Sequence, residues 1–224
     1  MKTFQQIALA AALVAGFAAS AQAQVRVTEV APWSSGNSSI GADWFEVTNF
    51  GASAVNLTGW KIDDNSNSFA SAVALNGVAS IAAGESVIFL ESATSLSASF
   101  KTLWFGAAAP AALQVGYYNG SGVGLSTGGD AVNLFDAGGV LQAKVTFGAS
   151  PAGPFGSFDN SSGSVNNAAI TTLSVVGVNG AFAAFNDAAE IGSPGTVGAV
   201  PEVSTAAMIL AGLVAVGVAA RRRG

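Results

Sequence analysis

A chain of 224 residues with 13 acidic and 8 basic side chains, no cysteine and no histidine suits one domain with short flanks. The two missing residue types exclude disulfides, thiolate catalysis and imidazole chemistry, whether as general base or as metal ligand. From Gln24 to Ala199 twelve acidic groups face only Arg26, Lys61, Lys101 and Lys144, a net charge of −8 that repels phosphate backbones and excludes nucleic-acid binding through a basic patch.

Residues 1–23 read as a secretion signal. Lys2 supplies the positive start, Ile7 to Ala19 is uncharged and apolar, and Ala21-Gln22-Ala23 offers an A-x-A cleavage site before Gln24. Thirteen apolar residues are short for a membrane span. The body, residues 24–199, then runs through short apolar–polar alternations separated by turn residues. "VRVTEVA" (Val25–Ala31), "DWFEVTN" (Asp43–Asn49), "SVIFLE" (Ser86–Glu91), "DAVNLFD" (Asp130–Asp136) and "LQAKVTF" (Leu141–Phe147) predict strands. "NFGAS", "DDNSNS", "NGSGVG" and "DAGG" between them carry the Gly, Asn, Asp and Ser that turns require.

No part of the body shows a long 3.6-residue periodicity, so the expected architecture is an all-β antiparallel sandwich without helical crossovers. Alternation in "DWFEV" puts Trp44 and Glu46 on one face, Phe45 and Val47 on the other. The expected core is Val27, Phe45, Val47, Trp60, Ile62, Val87, Phe89, Val132, Leu134 and Val145.

Four stretches invite chemistry. Asp63-Asp64-Asn65 opens a loop rich in hard oxygens and is a weak calcium candidate, but the EF-hand spacing is absent and such residues build any polar turn, so no metal or cofactor is expected. Glu29, Asp43 and Glu46 converge if the first two strands pair, and two carboxylates at a controlled separation are the minimum a glycosidase needs. A solvated acidic face is the preferred reading of all three. Trp33, Trp104, Tyr117 and Tyr118 would make a sugar-stacking platform if exposed, as the loop beside Trp33 suggests, whereas Trp44 and Trp60 read as core. "NGSGVGLSTGGD" (Asn119–Asp130) fails as a phosphate loop, having neither the last glycine of G-x-G-x-x-G nor a following lysine.

The tail, residues 200–224, is the most informative segment. Val203 to Ala220 is uncharged over eighteen residues, which as a helix would span roughly 27 Å and so cross a thin bilayer. Arg221, Arg222 and Arg223 then stay on the cytoplasmic side and leave the body on the far side, in agreement with the leader.

Val200-Pro201-Glu202-Val203-Ser204-Thr205, followed by the apolar run and the arginine cluster, resembles a PEP-CTERM sorting signal of Gram-negative bacteria. Its third position is Val203 where that family usually has proline. The resemblance implies an exosortase-type processing enzyme, cleavage near Pro201-Glu202, and a transient stay in the inner membrane. Release or attachment at the cell surface or in the extracellular polysaccharide matrix would follow.

The body is similar to a lamin-tail domain. The matching parts, in order, are "VRVTEVA", "DWFEVTNFGASAVNLTGWKIDD", "IAAGESVIFLE", "GGDAVNLFDAGGVLQAKVTFG" and, near the end, "EIGSPGT" (Glu190–Thr196). This resemblance implies an immunoglobulin-like β-sandwich that serves as a structural or interaction module and has no catalysis of its own. The stretches from Phe105 to Gly129 and after Pro151 fit the pattern less well and read as long loops or family-specific strands. The expected function is an exported, non-enzymatic surface or matrix module. The alternatives are a polysaccharide-binding module using Trp33 and Trp104, and a hydrolase working through carboxylates.

Overall fold

Residues 25–196 are the ones described by the computed structural model. The leader with Ala21 and Ala23, the Pro201-Glu202-Val203 motif, the apolar run and the arginine cluster lie outside them. Among the described residues no helix is long and apolar enough to cross a membrane.

In chain order the elements are β1 (Val25–Ala31), α1 (Ser34–Asn37), β2 (Trp44–Asn49), β3 (Val55–Asn56), β4 (Lys61–Asp63), β5 (Val73–Ala74), β6 (Ser80–Ile81) and β7 (Ser86–Glu91). Then follow α2 (Ser97–Phe105), β8 (Gln114–Tyr118), β9 (Asp130–Phe135), β10 (Leu141–Phe147), β11 (Phe155–Gly156), β12 (Phe158–Asp159), β13 (Ala168–Ile170), β14 (Phe182–Ala184) and β15 (Asp187–Gly192). Two five-stranded sheets form the sandwich, ordered β12-β1-β2-β7-β8 and β13-β10-β9-β4-β5. A third sheet, β11-β15-β14, is built from the end of the chain.

The core between the two large sheets holds all ten residues expected there, joined by Val25, Val30, Leu57, Tyr118 and Phe147 among others. Phe45 stacks on Phe89 with ring centres 5.6 Å apart. Each such side chain contributes about 1.5–3 kcal/mol by leaving water, which explains how a chain without disulfides holds this fold.

A bulge in β1 decides which residues face which way. The pairing runs Val27↔Val47 and then Glu29↔Glu46, so Thr28 is the extra residue. Plain alternation would group Glu29 with Val25 and Val27. The bulge instead turns both Thr28 and Glu29 toward the outer face of the sheet and returns Val30 to the core.

That outer face is covered too. Phe100, Leu103 and Trp104 are buried on α2 at the i, i+3, i+4 spacing that lines one side of a helix, and they pack on Trp44, Ile88 and Leu90. Trp44 meets Phe100 and Trp104 edge to face, each with centres 5.5 Å apart. Gly106, at φ +58°, ends the helix, and a Cβ there would lie 2.7 Å from the Phe185 ring.

The expected absence of crossovers is therefore wrong. α2 carries the chain from β7 to a parallel β8, and β10–β13 and β11–β15 are parallel as well. A parallel neighbour cannot be reached by a tight hairpin, so the chain needs the helical return. The stretch from Phe105 to Gly129 contains β8, and the part after Pro151 supplies β11 to β15.

Candidate functional site

The β1–β2 register sets Glu29 directly opposite Glu46, and both side chains are buried, at 0% and 1% exposure. They converge, as strand pairing required, but the solvated reading is overturned. Glu29 Oε1 accepts the Ser193 backbone N–H at 2.8 Å and the Ser157 hydroxyl, while Oε2 accepts the Ser193 hydroxyl at 3.2 Å. Glu46 Oε1 accepts the Thr28 hydroxyl at 2.6 Å, and Oε2 accepts the Gly195 N–H at 2.6 Å. The Thr28, Thr48 and Ser86 hydroxyls continue outward as a chain with spacings of 2.9 and 2.6 Å.

Burial sets the charge state of this pair. It raises the Glu29 carboxyl to about 8, with the Glu46 charge pushing the same way and the Ser157 and Ser193 donors opposing. It raises Glu46 to about 7 against the donors from Thr28, Gly195 and Ser86. The two titrate together, and near neutral pH the pair keeps a proton that either glutamate would lose in water.

Apart from Thr28 on β1, the donors Ser157, Ser193 and Gly195 follow the ends of β11 and β15, so the pair clasps the closing segment Ile191–Thr196 onto the first sheet. Gly192 makes this approach possible. A Cβ there would lie 2.5 Å from Glu29 Oε1 and 2.9 Å from the Trp104 ring. A glycosidase needs its carboxylates open to a sugar ring. Here the lone pairs are taken by serine, threonine and backbone donors under a covering segment.

Asp43 does not join them. It is buried under the loop after β1, where Oδ1 accepts the Ser35 N–H at 2.6 Å. Burial raises it to about 7 against that bond. Glu190 on β15 is also buried, beside Phe155, and burial raises it to about 7.

The aromatic platform does not form. Trp33, at 0% exposure, stacks on Phe155 with centres 5.5 Å apart and donates its indole N–H to the Gly156 carbonyl at 3.2 Å. Trp104 is buried between Trp44 and Phe182. Tyr118 is buried against Phe45, and Tyr117 is half-buried beside Gly77. A large aromatic removes more apolar area from water by filling the interior than by lining a loop, and the third sheet supplies the walls.

The Asp63 loop is a self-bonded turn. Asp63 is buried; Oδ2 accepts the Ser66 hydroxyl and the Ser68 N–H, each at 2.7 Å, and Oδ1 accepts the Ser71 hydroxyl at 2.9 Å. Asp64 Oδ1 accepts the Ser66 N–H at 3.0 Å, and the Asn65 N–H donates to Asp130. Among the described residues no group of three or more acidic, histidine or cysteine side chains is placed to hold a metal ion. In the glycine-rich loop, Glu91 accepts the Leu125 N–H at 3.2 Å, and a Cβ at Gly120 would collide with Glu91. Glycine is needed there for packing, against a carboxylate that would repel phosphate.

A surface cleft of about 410 Å³ lies elsewhere, lined by Ser39, Ile40, Ala98, Ser99, Thr102, Leu103 and Asn186. None of these lining side chains is ionisable.

Sequence reasoning missed Ser157, Ser193 and Gly195 as carboxylate partners. Only the "EIGSPGT" pattern marked the region of Ser193 and Gly195, and nothing marked Ser157. Residues 18–149 match the protein-family model described as Lamin Tail Domain. No curated protein and no solved structure matches the chain. The matched span contains Glu29 and Glu46, and the donors from Ser157, Ser193 and Gly195 lie beyond it.

Proposed function

Since the chain belongs to the lamin tail domain family, we propose that it is an exported, non-enzymatic structural or interaction module of a bacterial cell surface or extracellular matrix. The secretion machinery takes residues 1–23 as the signal. The Val203–Ala220 run holds the chain in the inner membrane with Arg221, Arg222 and Arg223 inside. An exosortase-type enzyme then cuts near Pro201-Glu202 and hands the body outward.

The observation that carries the export step is the order of the tail: Pro-Glu, eighteen uncharged residues, then three arginines, behind a leader that predicts the same topology. The interaction role is supported by the use the fold makes of its most reactive-looking groups. Glu29, Glu46 and Asp63 are spent as internal hydrogen-bond acceptors, and Trp33 and Trp104 as core. Binding then falls to surface shape and loops, as in sandwich domains generally.

Protease added to intact cells tests the topology. The body is expected to be degraded while a cytosolic marker survives. A body that persists in intact cells contradicts surface display, and one that still persists once the outer membrane is opened contradicts export.

A further inference from the structure

The segment from Asn160 to Asn186 carries no charged residue, in a body of net charge −8. Within it, Val175, Val176 and Val178 are 57%, 56% and 50% exposed on one turn. The turn is closed by the Val178 N–H on the Val175 carbonyl at 2.9 Å and by the Gly177 N–H on the Ala181 carbonyl at 2.8 Å. Its base is fixed to the sandwich. The Ser174 N–H donates to the Ser157 carbonyl, and the Asn179 amide donates to Asp159, each at 2.8 Å. Valines with no polar tip are thus held outward on a built projection.

The point where the described chain ends is beside this turn. A Cβ on Gly180 would lie 2.6 Å from Thr196 Cγ2, so Thr196 touches the foot of the projection. Seven residue steps separate Thr196 from Val203, at most about 25 Å of extended chain. We propose that the Val175–Val178 turn is a lipid-contacting foot, resting in the interface of the bilayer that holds the Val203–Ala220 run. This rests on the tail reading given above.

Lipid fits this turn better than another occupant does. The tether delivers the turn to the bilayer surface, so a contact too weak to recruit a free domain becomes intramolecular. The turn itself carries no charge, so anionic headgroups, which repel an acidic body, do not repel the turn directly. Apolar side chains projecting from a turn enter the interface without burying an unpaired charge.

The chain has no cysteine, so one introduced thiol is a unique label. The full-length protein is reconstituted in vesicles of phosphatidylethanolamine and phosphatidylglycerol. A bimane fluorophore is attached in separate variants at Val176→Cys, at Asn65→Cys on the exposed Asp63 loop, and at Ala211→Cys in the tail. At position 176 brominated lipid is expected to quench, and aqueous iodide to quench several-fold less than at position 65. Iodide quenching at 176 equal to that at 65, with the 211 label still quenched by brominated lipid, overturns the foot and leaves the tail reading intact. Protection of 176 from both quenchers means that protein covers the turn, either a second copy or the chain's own tail, and also overturns it. A 211 label open to iodide overturns the tail reading, and the foot with it.

Discussion

Raising the pH from 5 to 7 is expected to destabilise the folded domain, because Glu29 and Glu46 hold their protons more tightly folded than unfolded. Burial lifts the pair from the ordinary 4.5 to about 8 and about 7. The stabilisation from a raised acid is fully present below its unfolded value and is lost as pH rises through the folded value. The window therefore runs from about 4.5 to 8. If the pair retains one proton that the unfolded chain has released, stability falls by about 1.4 kcal/mol per pH unit, or about 3 kcal/mol between pH 5 and 7. Asp43 and Glu190, both raised to about 7, add to the fall. Urea unfolding followed by tryptophan emission at a series of pH values reads this directly. Glu29→Gln isolates the pair. The amide oxygen still accepts from the Ser193 N–H and the amide nitrogen donates to a serine hydroxyl, but nothing titrates at that position. The slope of the variant should be shallower by up to one proton, and at pH 8 it should be at least as stable as the parent. A parent whose stability is flat or rises between pH 5 and 7, or a variant with an unchanged slope, would refute this account of the pair.

Trp104→Ala should cost about 3–5 kcal/mol in the same assay, since it empties the centre of the Trp44, Phe100 and Phe182 cluster. A loss under about 1 kcal/mol would mean that this second core is not packed as described. Gly192→Ala should destabilise by about 1–3 kcal/mol through overpacking against Glu29 and Trp104. It should also raise proteolysis of the closing segment, and a neutral result would argue against the clasp. With Trp33, Trp44, Trp60 and Trp104 all buried, native emission should be blue-shifted and resist iodide. Quenching by matrix polysaccharide without unfolding would contradict that burial.

Patterns local to one strand were legible in the sequence. β1, β7 and β10 start and stop where alternation predicts, and β2 and β9 differ by one end residue. The sandwich core was legible for the same reason: β-branched and aromatic residues recur every second position between turns. What escaped is non-local or aperiodic. The bulge at Thr28 shifts the alternation by one, and only the register with β2 reveals that Val30 turns inward and Glu29 outward. α2 is nine residues long, so its Phe100, Leu103 and Trp104 stripe completes too few turns to stand out. The convergence of Glu29 with Glu46 followed from pairing adjacent strands, but their burial did not. The donors from Ser157, Ser193 and Gly195 lie 128, 164 and 149 residues away in the chain. Trp33 is buried by Phe155 from that same late region, which is why a loop neighbour looked exposed.

The most direct test of the exported, processed module is the intact mass of the protein in the cell-surface fraction. The mature protein is expected to begin at Gln24 and end near Pro201-Glu202, without the segment from Met208 to Gly224. A mass that retains both the leader and the arginine cluster would contradict it.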